Sequence, residues 1–134
     1  MSEITLEASQ QYCHELMRSV AKNFYFGMSQ LPMGKRQAMF ALYAYMRQID
    51  DIADDAVDAG LPVAVAGQRL EEWRGWTHAA LGGDDQRHAM LPAVRWAVGE
   101  FGIPVSLLDA AIDGQLLDLR EQHCQTFSQL RHYC

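Results

Sequence analysis

Apolar residues recur at intervals of three and four along almost the whole chain, and no stretch keeps the alternation of period two that a half-buried strand requires. The pattern predicts helices throughout. A first helix is expected from about Leu6 to Phe24, followed by an irregular stretch around Gly27 to Leu31. Pro32 suits the first turn of a second, long helix, which Gly60 stops with Pro62 beyond it. A third runs from about Val63 to Leu81, with Leu70, Trp73 and Leu81 on its apolar side, until Gly82-Gly83 breaks it. Gly102 and Pro104 separate a fourth helix, about Ala89 to Phe101, from a fifth, about Val105 to Arg120. Thr126 and Gln129 have the spacing of a capping box, which predicts one more helix start with Leu130 and Tyr133 opening its apolar stripe. Such a series predicts an all-α fold, an antiparallel helical bundle, with no internal repeat or interdomain linker.

The second helix carries an anomaly. Met39, Leu42, Met46, Ile49 and Ala53 advance by 3, 4, 3 and 4, which predicts its buried face. Beside that stripe stand five aspartates in nine residues: Asp50, Asp51, Asp54, Asp55 and Asp58. Like charges three and four apart on a helix repel, at about 0.2–0.5 kcal/mol per pair, and aspartate is a poor mid-helix residue. A solvated acidic face would be the ordinary reading. Here the acids abut the apolar stripe and follow Arg47, an arrangement suited to hydrated Mg2+ ions that bridge carboxylates to phosphate oxygens.

Size and charge narrow the possibilities. At 134 residues and 15.1 kDa the chain is one domain or less, long enough to bury about two thirds of its unfolded surface. The net charge of −6, with no basic stripe, argues against nucleic acid as a partner, although a diphosphate would need only a few of the 11 Lys and Arg residues. Neither a run of eighteen apolar residues nor a signal-peptide pattern is present, and a cytoplasmic setting is expected. Cys13, Cys124 and Cys134 lack CxxC spacing and read as reduced packing residues. The five histidines have no metal-ligand spacing, and the absence of Glu-x-x-His counts against a di-iron bundle.

Several segments carry a resemblance. Tyr12-Cys-His-Glu-Leu-Met, Lys22-Asn-Phe-Tyr-Phe, Leu31-Pro32 and the run from Tyr43 through Asp50-Asp-Ile-Ala-Asp-Asp55 resemble, in order and spacing, the N-terminal half of the squalene and phytoene synthase family. Ala111-Ile-Asp-Gly-Gln-Leu-Leu-Asp-Leu119 resembles that family's middle helix, and Phe127 to Cys134 the start of its Tyr-Cys-Tyr segment. The resemblance implies the isoprenoid synthase fold and head-to-head condensation of two farnesyl or geranylgeranyl diphosphates to presqualene diphosphate and squalene, or to phytoene, in hopanoid, sterol or carotenoid synthesis. It implies Mg2+ at Asp50 and Asp54, with Asp51 and Asp55 nearby, and a diphosphate contact from Arg47. Asn23 would also face diphosphate, while Phe24, Phe26 and Tyr43 would line an apolar cavity. Tyr133 matches a tyrosine that positions substrate and assists the first condensation. Asp113 and Asp118 match pocket-lining acids, Gln115 carries less weight than either, and Gly114 would let helices approach closely. NADPH enters only if the full-length product is squalene. Peripheral membrane contact for release of an apolar product is compatible with this picture.

Two features depart from the family pattern. Ala21 and Asn23 stand where many relatives carry serines, and the family's second aspartate-rich motif lies on a later helix that this sequence does not supply. Residues 1–134 are therefore expected to form the N-terminal portion of a single domain and, alone, to be inactive. The alternatives are a non-catalytic half-site subunit or degenerate paralogue, and a prenyl-chain elongation synthase; residues 56–68 lack the basic stretch usual in the latter.

Overall fold

The computed structural model describes the backbone of residues 3–131 and the side chains of residues 3–121. Among the described residues six helices follow one another: α1 Leu6–Val20, α2 Lys22–Met28, α3 Met33–Asp58, α4 Val63–Leu81, α5 Leu91–Phe101 and α6 Val105–Arg131. No strand occurs among the described residues. The all-α reading holds, and the stops at Gly60, Gly82 and Gly102 fall where glycine and proline predicted them. Gly102 shows why. It takes the left-handed conformation (φ 62°), which lets the amides of Gly102 and Ile103 both bond to the Val98 carbonyl and close α5.

Three boundaries differ from expectation. The first helix breaks at Ala21 instead of continuing to Phe24, and Gly27 lies inside α2. Ala21 leaves helical geometry (φ −142°, ψ 61°), yet its amide closes α1 on Met17 O at 2.9 Å and its carbonyl accepts from Tyr25 N at 2.8 Å. The turn brings Tyr25 back to stack on Phe40 (centroids 5.6 Å apart), with its hydroxyl 2.9 Å from His14 Nε2. Aromatic packing thus overrides a local sequence with no strong breaker. The fourth expected helix starts two residues late, at Leu91, with Pro92 in its first turn. Finally, α6 runs past Arg120 and through Thr126, so the backbone there does not form the expected new helix start.

The core is organised around α3, which packs against α1, α4, α5 and α6. Its buried face is Ala38, Phe40, Ala41, Ala44, Tyr45, Ile49, Ala53 and Ala56. This corrects the expected stripe in part: Ile49 and Ala53 are buried and Leu42 packs against the core, but Met39 and Met46 lie one step round the helix and remain partly exposed. Alanine buries little area per residue but lets neighbouring helices come close, so the inward face here is small-residue rather than methionine-rich. Around it close Cys13 and Met17 of α1, Leu70 and Trp73 of α4, Leu91 and Val94 of α5, and Leu108 and Ile112 of α6. Cys13 is fully buried, and burial pushes its thiol pKa up to about 12, in keeping with a packing role. Side chains of Cys124 and Cys134 lie outside the described residues.

Two buried polar contacts fix helix register. Ser9 of α1 accepts from Ala93 N (2.9 Å), one of the α5 first-turn amides that have no partner within the helix. Thr77 lies 2.9 Å from both the Trp73 carbonyl and the Tyr45 hydroxyl, tying α3 to α4. Among the described residues, only Trp73 Nε1 is a buried side-chain donor without a partner.

Candidate functional site

Helical spacing and packing together distribute the aspartates around the exterior of α3. Asp50 borders α6, Asp55 borders α4 beside Arg69, Glu72 and Trp76, and Asp54 and Asp58 point outward between them. Arg47 Nε meets Asp51 Oδ1 at 3.2 Å, an i,i+4 ion pair in which both side chains are about two-fifths exposed. The expected set Asp50, Asp51 and Asp54 is accordingly not a three-carboxylate cage. Among the described residues no group of three or more His, Cys, Asp and Glu side chains could hold an ion. What α3 does offer is a pair of exposed carboxylates one turn apart, Asp50 and Asp54. Hard oxygen donors in that number fit a Mg2+ ion that keeps water and takes its remaining ligands from phosphate.

A groove of about 320 Å3 opens between α3 and α6 at Asp50. Met46, Ile49 and Asp50 form one wall, and Ala111, Gly114, Gln115, Leu117 and Asp118 the other. Asp118 and Asp50 are thus brought to one place from positions 68 residues apart in sequence, and the Gln115 amide donates to Asp50 Oδ1. Gly114 does not serve close helix approach: a β-carbon there would meet nothing within 4 Å, so the glycine leaves the groove open.

Asp113 is on another side of α6. It pairs with Arg74 of α4 at 2.5 Å, in a network that the sequence reading missed. Arg74 also contacts Asp109 at 3.0 Å and Glu71 at 3.1 Å, while His78 Nε2 lies 2.8 Å from Asp109. Burial opposes the Arg74 charge, but the surrounding carboxylates outweigh it and raise the guanidinium pKa. The His78 hydrogen bond, with help from Arg74 and against partial burial, lowers that of Asp109. These residues lock α4 to α6 and leave Asp113 engaged. The only signal for the network in sequence was helix periodicity: Asp109 and Asp113 are one turn apart, as are Arg74 and His78.

The expected aromatics separate into two groups. Phe24 and Tyr43 are half-buried and stacked, with centroids 5.0 Å apart. Tyr43 shares a face of α3 with Met39, Met46 and Asp50, so a partly exposed apolar strip runs along the helix and ends at a carboxylate. From Met39 to Asp50 the strip is about 16 Å long at 1.5 Å per residue. Phe26, by contrast, is 65 % exposed and stands with Arg18, Lys22 and Tyr25. Asn23 is exposed in the first turn of α2. Tyr133 lies outside the described residues. No described helix is long and apolar enough to cross a membrane.

The chain is similar in sequence to known proteins. A phytoene synthase of Mycobacterium tuberculosis is 30 % identical over 134 residues, covering all of this chain and 41 % of the relative. A presqualene diphosphate synthase of Zymomonas mobilis is 32 % identical over 124 residues, covering 90 % of this chain and 41 % of the relative. A phytoene synthase of Arthrospira platensis is 28 % identical over 133 residues, covering 97 % of this chain and 40 % of the relative. The chain thus spans about two fifths of the length of these relatives, and no solved structure matches it. Residues 17–134 match the squalene/phytoene synthase family, and the chain belongs to that family.

Proposed function

We propose that this chain forms the part of a head-to-head prenyl diphosphate synthase that binds the diphosphate and the first stretch of the prenyl chain. The observation that carries the proposal is the α3 strip of Met39, Tyr43 and Met46, partly exposed and apolar, leading directly to Asp50. A prenyl diphosphate has the same polarity pattern, a long apolar tail ending in a concentrated negative charge. Phe24 stacked on Tyr43 supplies a π-face to the strip, suited to sheltering an allylic cation from water. Asp50 and Asp54 would hold Mg2+, with Asp51 in support, and the metal when bound neutralises charge on the departing diphosphate. Arg47, exposed on the same side, would turn from Asp51 toward the diphosphate oxygens. Asn23 and Phe26 would border the entrance, Asp118 the far wall, and Tyr133 would assist the first condensation. Asp113, held by Arg74, would act through the placement of α6 rather than by touching substrate.

The substrates proposed are farnesyl or geranylgeranyl diphosphate, with presqualene diphosphate, squalene or phytoene as product, NADPH being used only for squalene. The setting proposed is cytoplasmic, with peripheral membrane contact for an apolar product. The residues form the N-terminal portion of one domain, and the facing acidic helix of a complete metal site is not among the described residues, so the 134-residue chain alone should not condense substrate. The names of the relatives speak for head-to-head synthases rather than chain-elongation enzymes.

Binding of radiolabelled farnesyl diphosphate to the purified chain tests the reading. Mg2+-dependent retention that is lost in the Asp50→Asn, Asp54→Asn double variant is expected. Retention indifferent to Mg2+, or to both substitutions, would overturn it.

A further inference from the structure

We infer that Gln115 of α6 is a positioning residue for Asp50, setting the carboxylate in the orientation that receives the metal; the inference rests on the reading of Asp50 given above. Asp50 is exposed on α3 and has no neighbour on its own helix that would fix its rotamer, since Arg47 is engaged with Asp51. Gln115 reaches it from the opposite wall and donates an amide hydrogen to Oδ1. The direction of that bond is set by chemistry: an ionised carboxylate only accepts, so the NH2 and not the carbonyl of the amide must face it. Gln115 is itself half-buried in the groove, and Leu108, Ile112 and Leu119 anchor its helix in the core. The Arg74 bonds to Asp109 and Asp113 fix the rotation of α6 from its other side. The donor is therefore mounted on a held element, whereas the acceptor is a side chain otherwise free to rotate.

One hydrogen bond leaves most of the carboxylate available, because its two oxygens together offer about four lone-pair sites. The bond to Oδ1 stops rotation about the terminal side-chain torsion and leaves Oδ2 to a cation. Carboxylates that ligate metals are commonly held by such a partner, and loss of the partner weakens metal binding about 10- to 100-fold. A neutral donor suits this position better than lysine or arginine would, since it orients the carboxylate without neutralising it.

The test is Mn2+ binding, followed by electron paramagnetic resonance in the presence of inorganic pyrophosphate, to the purified 134-residue chain. Gln115→Met keeps length and helix propensity but removes the donor. It should weaken Mn2+ binding about tenfold, with helicity and thermal midpoint retained. In an Asp50→Asn background the same substitution should have no further effect, because Gln115 acts through Asp50. Wild-type affinity in Gln115→Met, or an equal weakening with and without Asp50, would overturn the positioning role while leaving the aspartates as metal ligands. Mn2+ binding unaffected by Asp50→Asn would overturn both. A Gln115→Met chain that loses its helicity is replaced by Gln115→Leu, judged by the same criteria.

Discussion

The contact of Tyr45, Thr77 and Trp73 makes a prediction whose sign depends on which atom gives the proton. Tyr45 is fully buried and Thr77 nearly so. Burial pushes the Tyr45 pKa up, against smaller opposing hydrogen bonds, so its hydroxyl keeps its proton under all ordinary conditions. The Thr77 hydroxyl has one proton, and the Trp73 carbonyl, which can only accept, lies 2.9 Å away. Thr77 therefore gives its proton to Trp73 and accepts the one from Tyr45 at 2.9 Å. Tyr45→Phe removes one hydrogen bond and strands nothing that must donate, at a cost of about 1 kcal/mol. Thr77→Val leaves the Tyr45 hydroxyl buried with no acceptor, at a cost of about 2 kcal/mol. Combining them removes both partners, so the double variant should be more stable than Thr77→Val alone by about 1 kcal/mol. Simple addition would instead make it worse, by a total of about 3 kcal/mol. Urea unfolding of the four proteins, compared at constant m-value, measures the cycle. Additive losses, or a Tyr45→Phe loss larger than that of Thr77→Val, would refute the assigned proton direction.

Three further outcomes follow from the packing. Cys13, with its thiol pKa near 12, should resist a thiol reagent at pH 8 in the folded protein and react at once in urea, read in a chain carrying Cys124→Ser and Cys134→Ser. Asp109, whose pKa is lowered chiefly by His78 and then by Arg74, stabilises the fold above its unfolded pKa, and that contribution disappears as pH falls through the lower folded value. Asp109→Asn should accordingly reduce stability at neutral pH and flatten its fall in acid, as followed by thermal melts from pH 7 to pH 2. Gly102→Ala places a side chain at φ 62° and should cost about 1 kcal/mol, visible as a lower urea midpoint without change in Mn2+ binding.

Helix existence was readable because its punctuation is local: Gly60, Gly83 and Gly102 follow helix ends with the positive φ that glycine permits. Position on the helix surface was harder to read. Alanine scarcely registers in a hydrophobic pattern, so the face of α3 that is buried was overlooked in favour of the more conspicuous methionines. The methionines Met39 and Met46 lead toward Asp50 instead of into the core. The break at Ala21 depends on the Tyr25–Phe40 stack, and the Thr126 capping box gave way to continuation of α6; both turn on longer-range circumstances than a four-residue motif contains. At the site, the aspartate cluster and Arg47 were legible by composition alone. The pairing of Asp50 with Gln115 and the diversion of Asp113 to Arg74 were not, because each depends on how far α6 is rotated about its axis.

The alanine face of α3 also bears on how this protein can change under mutation. Ala41, Ala44 and Ala56 are completely enclosed, leaving no slack for an added methyl group without displacing a neighbouring helix. The outward positions one step round carry no such constraint. A saturation library across α3 should therefore divide by angle: enlargement of the enclosed alanines destabilises the folded protein, while Met39 and Met46 accept many sizes. The helix becomes a fixed rail with an exchangeable edge, and on the proposed reading the length of apolar ligand accommodated beside Asp50 would drift through those two positions without disturbing the scaffold.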